Sequence, residues 1–487
     1  MPEVRMELLH ETQSLCPVCL RRLDARYVRR GGDILLERTC PEHGPFAALV
    51  WHEAAEDGIT PPRFESWSRP KTPSYPREPR TPVRHGCPYD CGLCPAHAQH
   101  TCTGLVEVTL RCNMACPICY ASAGGAVPDD PPLETLAFQL DSLRRASPGC
   151  NIQLSGGEPT LRDDLPAIIR LARERGFGLL QVNSNGLRLG LEAGYARQLR
   201  EAGLDSVYLQ WDSPDAAGCL PLRGAVALPD GLDLPAVKRR AVERCAAAGL
   251  GVVLVATVAQ GVNDDRLGAM LRLALELGPA VRGLHIQPVA RFGRYPGRLE
   301  DGPRLTLSHV MAALCRQAPQ WLRMEHFHPP GCEHSLCSFS ALYAREKGPD
   351  GGVMLRWLPD AAQSCCGPAV DRVPPSAAEG ARKSRQFVAS HWRGEPGPGG
   401  SGSRAALADD FSRFLARAGA GQRFTLSCMA FQDALALDVE RVRGCCIHVV
   451  RPDGRMIPFC LHNLTSTEGR MLYPQRLAGG ETHHDAG

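Results

Sequence analysis

A chain of 487 residues can hold two or three domains with a sizeable core. Its formal charge of +3 is near balance and gives no support to a nucleic-acid partner or to binding at a charged membrane surface. There are 22 cysteines, and the start Met1-Pro-Glu-Val-Arg-Met-Glu7 lacks a basic stretch followed by an apolar run, so the thiols are expected to serve metals in the cytoplasm rather than a secreted disulfide scaffold.

In chain order, residues 1–58 are expected to form a metal-binding ribbon. Cys16-Pro-Val-Cys19 and Cys40-Pro-Glu-His43 flank two strand-like runs, Ala25–Val28 and Ile34–Glu37, joined by Arg30-Gly-Gly-Asp33. Ligand pairs at the ends of such a hairpin suit a single ion. Residues 59–103 combine a Pro-rich linker with a dense cysteine segment.

From 104 to 325, short apolar runs alternate with amphipathic ones. Strands are predicted at Leu105–Thr109, Ile152–Leu154, Gly178–Val182, Ser206–Leu209, Gly251–Val258 and Gly283–Pro288. Helices are predicted at Leu133–Arg145, Leu165–Arg175, Ala193–Ala202, Pro235–Ala248 and Asp265–Leu277. This alternation means a parallel sheet with crossover helices, and six repeats suit a partial barrel. The longest apolar run, Leu250–Ala259, falls short of the roughly 18 residues of a membrane span. Residues 326–470 lose the period and regain cysteines, with a flexible insertion near 371–404 where Gly394–Gly402 is rich in Gly and Pro. Residues 471–487 read as a disordered tail with His483-His484 in solvent.

Seven cysteines lie between Cys87 and Cys119, and the last three are spaced Cys112-x3-Cys116-x2-Cys119. Three thiolates hold three irons of a four-iron, four-sulfur cube and leave the fourth iron open, whereas clusters that only carry electrons usually have four protein ligands. A structural zinc, the alternative, also prefers four. Four predicted strands end in polar pairs two residues apart: Gln153/Ser155, Asn183/Asn185, Gln210/Asp212 and His285/Gln287. Strand alternation puts each pair on one side, and the C-terminal strand ends form the mouth of an α/β barrel. One pair alone could be an ordinary strand end; four repeat a pattern. Ser155-Gly-Gly-Glu-Pro-Thr160 follows the second strand, where two glycines would let backbone approach a ligand closely and offer it amides or carbonyls.

With these motifs, residues 104–290 resemble the radical S-adenosylmethionine (SAM) core. The resemblance implies a 4Fe-4S cluster on Cys112, Cys116 and Cys119, its open iron chelating the amino and carboxylate groups of SAM. By position, Gly156, Gly157 and Glu158 would meet the methionine amino group. Asn185 and Asp212 would lie near the carboxylate and ribose, and His285 and Gln287 near the adenine; His285 fits a hydrogen-bonded core histidine equally well. Ile118 stands where the family usually has an aromatic residue, and Tyr120 follows the third cysteine instead. The implied chemistry is one-electron cleavage of SAM to a 5′-deoxyadenosyl radical that takes hydrogen from substrate, in a site that excludes water.

The order of the outer cysteine segments resembles the tetraether lipid synthase branch of this superfamily, also described as class D radical SAM methyltransferases acting on pterins. That resemblance implies a mononuclear iron or zinc on Cys16, Cys19 and Cys40, with His43 a candidate fourth ligand, and two auxiliary 4Fe-4S clusters. Cys87, Cys91, Cys94 and Cys102 would hold one cluster. Cys332, Cys337, Cys446 and Cys460 would hold the other, with Cys428 and Cys445 as competitors. On spacing alone the first group also fits a zinc ribbon without a catalytic part, and the C-terminal cysteines a purely structural cluster. Cys150, Cys219, Cys245 and Cys315 read as small buried hydrophobes, and Cys365-Cys366 have no assignment.

The expectation is therefore an α/β radical SAM enzyme: a partial (β/α)6 barrel with an N-terminal ribbon and a C-terminal auxiliary-cluster region. It would abstract hydrogen from unactivated C–H bonds, first in coupling lipid tails, second in methylating a pterin or other heteroaromatic. A non-catalytic iron–sulfur electron-transfer protein is the third reading. The implied partners are a lipid or other hydrophobic substrate, a reductant such as ferredoxin or flavodoxin, and a transient contact of this cytoplasmic protein with a membrane surface.

Overall fold

The computed structural model describes residues 6–67, 71–76, 78–296, 304–348, 351–359, 376–394 and 423–474. The N-terminal part is an antiparallel sheet in the order β1-β2-β3-β4: Met6–Leu15, Arg22–Arg30, Asp33–Cys40 and Gly44–His52. The expected hairpin is β2–β3, with Arg30 opposite Asp33 and Gly31 at φ 61 supplying the left-handed residue of a two-residue turn. Strands β1 and β4 extend it on either side; β1 is mostly exposed along its first half, so no alternation marked it beforehand.

All remaining strands among the described residues join one 11-stranded sheet. Its centre is the six predicted strands: β5 (Thr103–Thr109), β6 (Asn151–Gly156), β7 (Leu180–Ser184), β8 (Ser206–Gln210), β9 (Gly251–Val258) and β10 (Val281–Pro288), each parallel to its neighbours. Burial along β9, Gly-Val-Val-Leu-Val-Ala-Thr-Val, is nearly continuous, as for a strand covered on both faces. Four predicted helices appear within about two residues of their expected ends, at Leu133–Ala146, Leu165–Glu174, Leu234–Ala247 and Leu267–Glu276. Ala193–Ala202 is shortened to Tyr195–Glu201, because Gly194 at φ 83 separates it from a further short helix, Leu187–Leu191.

The C-terminal region completes this sheet instead of standing apart. β13 (Arg423–Met429) pairs parallel with β10, and β14 (Ile447–Val450) pairs parallel with β5. Antiparallel strands β11 (Ser338–Lys347), β12 (Val353–Trp357) and β15 (Met456–Pro458) finish the two ends. The sheet is mostly parallel and open, and the 325/326 boundary does not separate two sheets.

Two stretches expected to be flexible or disordered are ordered in the parts that are described. Residues 376–394 of the expected insertion contain a helix, Ala377–Trp392, whose Ala381 is fully buried. Residues 371–375 and 395–404, Cys365-Cys366 and His483-His484 lie outside the described residues. The start of the expected tail is also packed. Tyr473 is 7% exposed; its hydroxyl donates to the Pro88 carbonyl at 2.6 Å and accepts from the Cys91 N–H at 2.9 Å. No helix among the described residues is long and apolar enough to cross a membrane.

Candidate active site and metal centres

A cavity of about 320 Å³ is lined by side chains from β5 to β10 and by the loop that follows β5. That loop carries Cys112, Cys116 and Cys119, and all three face the cavity. A segment after β10, unmarked in the sequence, closes the loop. Cys119 and Arg294 exchange two backbone bonds of 2.9 Å, and the Arg294 guanidinium donates to the carbonyls of Cys116 (2.8 Å) and Ala123 (3.0 Å). Gly293 has φ +64 and presses against the Tyr120 backbone so closely that a Cβ would collide with it. The Tyr120 hydroxyl lies 2.7 Å from Ser155 Oγ and its ring centroid 5.2 Å from that of Phe459.

The Gly-Gly-Glu segment lines the cavity and packs tightly against the cysteine loop. The Gly157 N–H donates to Thr109 O at 2.7 Å and the Glu158 N–H to Arg111 O at 2.8 Å. Both amides are spent on the cysteine loop rather than presented to a ligand. Gly156 sits at φ +126, and a Cβ on either glycine would run into the backbone of Thr109 or Arg111. Glu158 is 1% exposed. Its Oε1 accepts from the Thr160 N–H (3.1 Å), the Thr160 hydroxyl (2.7 Å) and the Ser184 hydroxyl (2.9 Å), and its Oε2 from the Asn185 N–H (2.7 Å). The carboxylate thus clamps the end of β7 to the turn after β6. Burial pushes its carboxyl upward against these donors.

The other predicted contacts are partly committed within the protein. Asn185 bridges to Asn113 on the cysteine loop, Nδ2 to Oδ1 at 2.8 Å. Asp212 is 1% exposed and receives Arg223 through Nε (2.7 Å) and Nη2 (2.9 Å), the Thr257 N–H (2.9 Å) and the Gln210 amide. Burial raises this carboxyl, but the Arg223 charge and hydrogen bonds, the Lys238 charge and the Thr257 N–H together outweigh it and hold it below the ordinary range. Asp212 therefore anchors Arg223, and it is Arg223 that lines the cavity, its positive charge beside the Cys116 thiol. No motif singled Arg223 out, because it stands on a later helix, Ala216–Arg223.

His285 Nδ1 pairs with Ser427 Oγ at 2.8 Å, and burial pulls the imidazole down to about 3, so it is neutral. It lies on the cavity wall with Gln287, Tyr208 and Trp392, the ring centroids of Tyr208 being 5.4 Å from His285 and 5.8 Å from Trp392. Amides line the adjacent wall: Gln153 Nε2 donates to Gln181 Oε1 at 2.8 Å, and Asn183 Nδ2 to Ser155 Oγ at 3.2 Å. Asn183 Oδ1 is buried with no hydrogen-bond partner among the described residues.

These residues fit the cluster and SAM that the motifs imply. The loop offers three thiols with no fourth cysteine, Arg223 provides a cation beside them, and Asn183 Oδ1 is an acceptor awaiting a donor. Burial pushes the Cys112 thiol up to about 11, a cost that iron offsets by holding the thiolate.

The ribbon gathers Cys16, Cys19, Cys40 and His43, with one donor atom of each within 4.8 Å of the others. His43, a candidate fourth ligand, thus completes a three-sulfur, one-nitrogen set, which is a zinc donor set. The outer cysteines group differently from the expected quartets. Cys102 leaves Cys87, Cys91 and Cys94 and meets Cys332 and Cys446, their sulfurs within 4.8 Å of one another. The cause is sheet order: Cys102 immediately precedes β5, β14 lies beside β5, and the Cys102 N–H donates to Cys446 O at 2.8 Å. Burial, then the charges of Cys460 and Cys337, push up the thiol of Cys445, a competitor for the second quartet, and burial with Cys337 pushes up that of Cys460. Cys428 is fully buried on β13, facing Phe339 of β11. Cys102, Cys332 and Cys446 line the same cavity as Cys112, Cys116 and Cys119.

Comparison with known proteins places these features. The family described as the HMPTM N-terminal zinc ribbon domain matches residues 8–52, and the radical SAM superfamily matches residues 106–274. A 7,8-dihydro-6-hydroxymethylpterin dimethyltransferase of Methanocaldococcus jannaschii is 32% identical over 511 residues, covering 93% of this chain and 93% of that protein. A GTP 3′,8-cyclase of a Synechococcus species is 32% identical over 191 residues, which is 36% of this chain and 53% of the cyclase. Among solved structures, SuiB of Streptococcus suis bound to S-adenosylmethionine overlaps 45% of this chain and 47% of its own, at 12% identity and a TM-score of 0.36.

Proposed function

The chain belongs to the radical SAM superfamily, within it to the family of the pterin dimethyltransferase, and we propose that it is a radical SAM methyltransferase acting on a pterin or a similar nitrogen heteroaromatic. The observation that carries this reading is the match to that enzyme along 93% of both chains, beside the match of residues 8–52 to its ribbon family. The cavity wall supports it. Gln153, Gln181 and Asn183 offer amide donors and acceptors, and Tyr208 and Trp392 offer ring faces. A fused-ring heterocycle can satisfy such groups by hydrogen bonding and stacking. A saturated lipid tail would leave Asn183 Oδ1 desolvated without a partner, which costs on the order of 1–3 kcal/mol. No observation favours the lipid-coupling expectation.

When bound, the cluster and SAM supply one electron and a carbon-centred oxidant that takes hydrogen from a C–H bond. Within this reading, Cys112, Cys116 and Cys119 ligate the cluster, and Arg223, fixed by Asp212, sets the positive charge beside Cys116. Arg294, Gly156 and Gly157 hold the ligand loop against β5 and β6. Cys102, Cys332 and Cys446 face the chamber as one auxiliary ligand group, and Cys87, Cys91 and Cys94, away from the cavity wall, would supply ligands to another. A small carrier such as ferredoxin or flavodoxin would deliver the electron.

The test is anaerobic incubation of reconstituted, reduced protein with SAM, a one-carbon donor and either 6-hydroxymethyl-7,8-dihydropterin or a dialkyl lipid. Methylated pterin by mass spectrometry is expected. Inert pterin together with tail-coupled lipid would reject the proposal in favour of the coupling reaction.

A further inference from the structure

At the seam where the ribbon meets the helical layer of the large sheet, three side chains converge that the proposed reaction does not use. Strand β4 ends at His52, whose backbone N–H donates to Ser308 Oγ at 2.9 Å. The next residue after Ser308, His309, stands in the first turn of helix Leu307–Gln317. Glu56 opens a tight turn in which Asp57 and Gly58 have φ 51 and 75, and Glu56 and Ile59 exchange backbone bonds of 3.0 and 2.9 Å. One ring nitrogen of each histidine and a carboxylate oxygen of Glu56 all lie within 4.8 Å of one another.

The Nδ1 atoms are already engaged. His52 Nδ1 lies 2.6 Å from Asp33 Oδ1, and His309 Nδ1 lies 2.9 Å from Thr306 Oγ1 and 3.3 Å from Thr306 N. That leaves Nε2 on each ring. His52 Nε2 is buried and makes no hydrogen bond; its nearest counter-group is Glu56 Oε1 at 3.5 Å. The two imidazoles lie face to face, with centroids 4.9 Å apart and 12° between planes. A carboxylate on Nδ1 fixes the tautomer whose Nε2 lone pair is free, the usual support for a metal-bound histidine. On His309 the Thr306 N–H donates to Nδ1 at 3.3 Å, so an ion on Nε2 requires Nδ1 to give up that bond, take the ring proton and donate to Thr306 Oγ1 instead. Glu56 Oε2 stays 3.6 Å from Arg316 Nη1, which leaves Oε1 for the ion.

We propose that His52, Glu56 and His309 bind a zinc ion that ties the ribbon to the barrel, separate from the thiolate site at Cys16, Cys19, Cys40 and His43. Two imidazoles and one carboxylate, with a fourth place for water, form a familiar zinc set, and imidazole nitrogens select zinc-like ions over magnesium or calcium. The site does not depend on the methyltransferase reading, since none of its ligands lines the catalytic cavity.

The test uses the full chain, reconstituted anaerobically with its iron and with zinc in the ribbon. Zinc is titrated in competition with a chromogenic chelator, and cobalt is used as a spectroscopic probe. One further saturable equivalent is expected, and cobalt there should lack the intense thiolate charge-transfer band of the ribbon site. Asp33→Asn, which touches only the outer hydrogen bond, should weaken the site about 10- to 100-fold. Glu56→Gln, at an exposed turn, should weaken it as well, with iron content unchanged in both. The proposal is overturned if both variants bind the added zinc as the parent does. It is equally overturned if the added equivalent disappears with Cys40→Ser and persists with Glu56→Gln.

Discussion

Gly157→Ala separates two explanations of the Gly-Gly-Glu segment. If the glycine exists to let a ligand approach, alanine should weaken SAM binding and leave the empty protein intact. The structure points elsewhere. A Cβ at 157 would stand 2.8 Å from Arg111 C and 2.9 Å from Leu110 C, and closer still to Arg111 O, where ordinary contact begins at 3.4 Å. The cysteine loop would have to retreat by more than half an ångström. Over-packing of this kind costs roughly 1–3 kcal/mol. The retreat also stretches the Gly157–Thr109 and Glu158–Arg111 bonds, now 2.7 and 2.8 Å, at about 1 kcal/mol each. We therefore expect a loss of about 3–5 kcal/mol without SAM present, together with fewer irons retained on the Cys112 loop. Anaerobic denaturant unfolding and iron analysis of the SAM-free protein read both quantities. Unaltered unfolding and full iron with weakened SAM binding would refute the reasoning.

The regrouped cysteines predict that Cys102→Ala and Cys332→Ala each remove the same auxiliary iron, about four per chain, and that combining them removes no more. Cys102→Ala with Cys91→Ala should remove about twice as much; equal losses in both double variants would restore the quartet of neighbours in sequence. Asp212→Ala should cost about 3–5 kcal/mol because it strands Arg223 as a buried unpaired charge, and adding Arg223→Met should recover much of that, whereas additive losses would show that the two groups do not act as a pair. His285 has a folded value of about 3 against an ordinary 6.5, so the unfolded chain takes up the proton first. Its contribution is intact above about pH 6.5 and lost as pH falls toward 3, on the order of 5 kcal/mol in all. His285→Gln should flatten unfolding stability across that window, and a parallel curve for the two proteins would count against a buried neutral imidazole.

The central fold was legible because its signals are local. Each strand of β5–β10 is a short apolar run and each crossover helix carries its own 3.6-residue period, so burial along β9 or the helix Leu165–Glu174 follows from neighbours in sequence. The Cys112 loop and the ribbon pairs were legible for the same reason, since each ligand set spans at most one turn or one hairpin. What escaped was set by sheet order, which the local period does not encode. β14 is four residues long, too short to show alternation, yet its place beside β5 brings Cys446 to Cys102 across more than 340 positions of chain. Arg223 escaped for a related reason: nothing in Leu-Pro-Leu-Arg announces a buried cation, and its role appears only once Asp212 at the end of β8 is found to hold it. Glu158 stands out in the motif, but a motif specifies which side chains recur and not which of their atoms are already bound. Its four donors come from Thr160, Ser184 and Asn185, on two different strand ends. A carboxylate committed to that many protein donors can shape a binding site but has little left to offer a ligand.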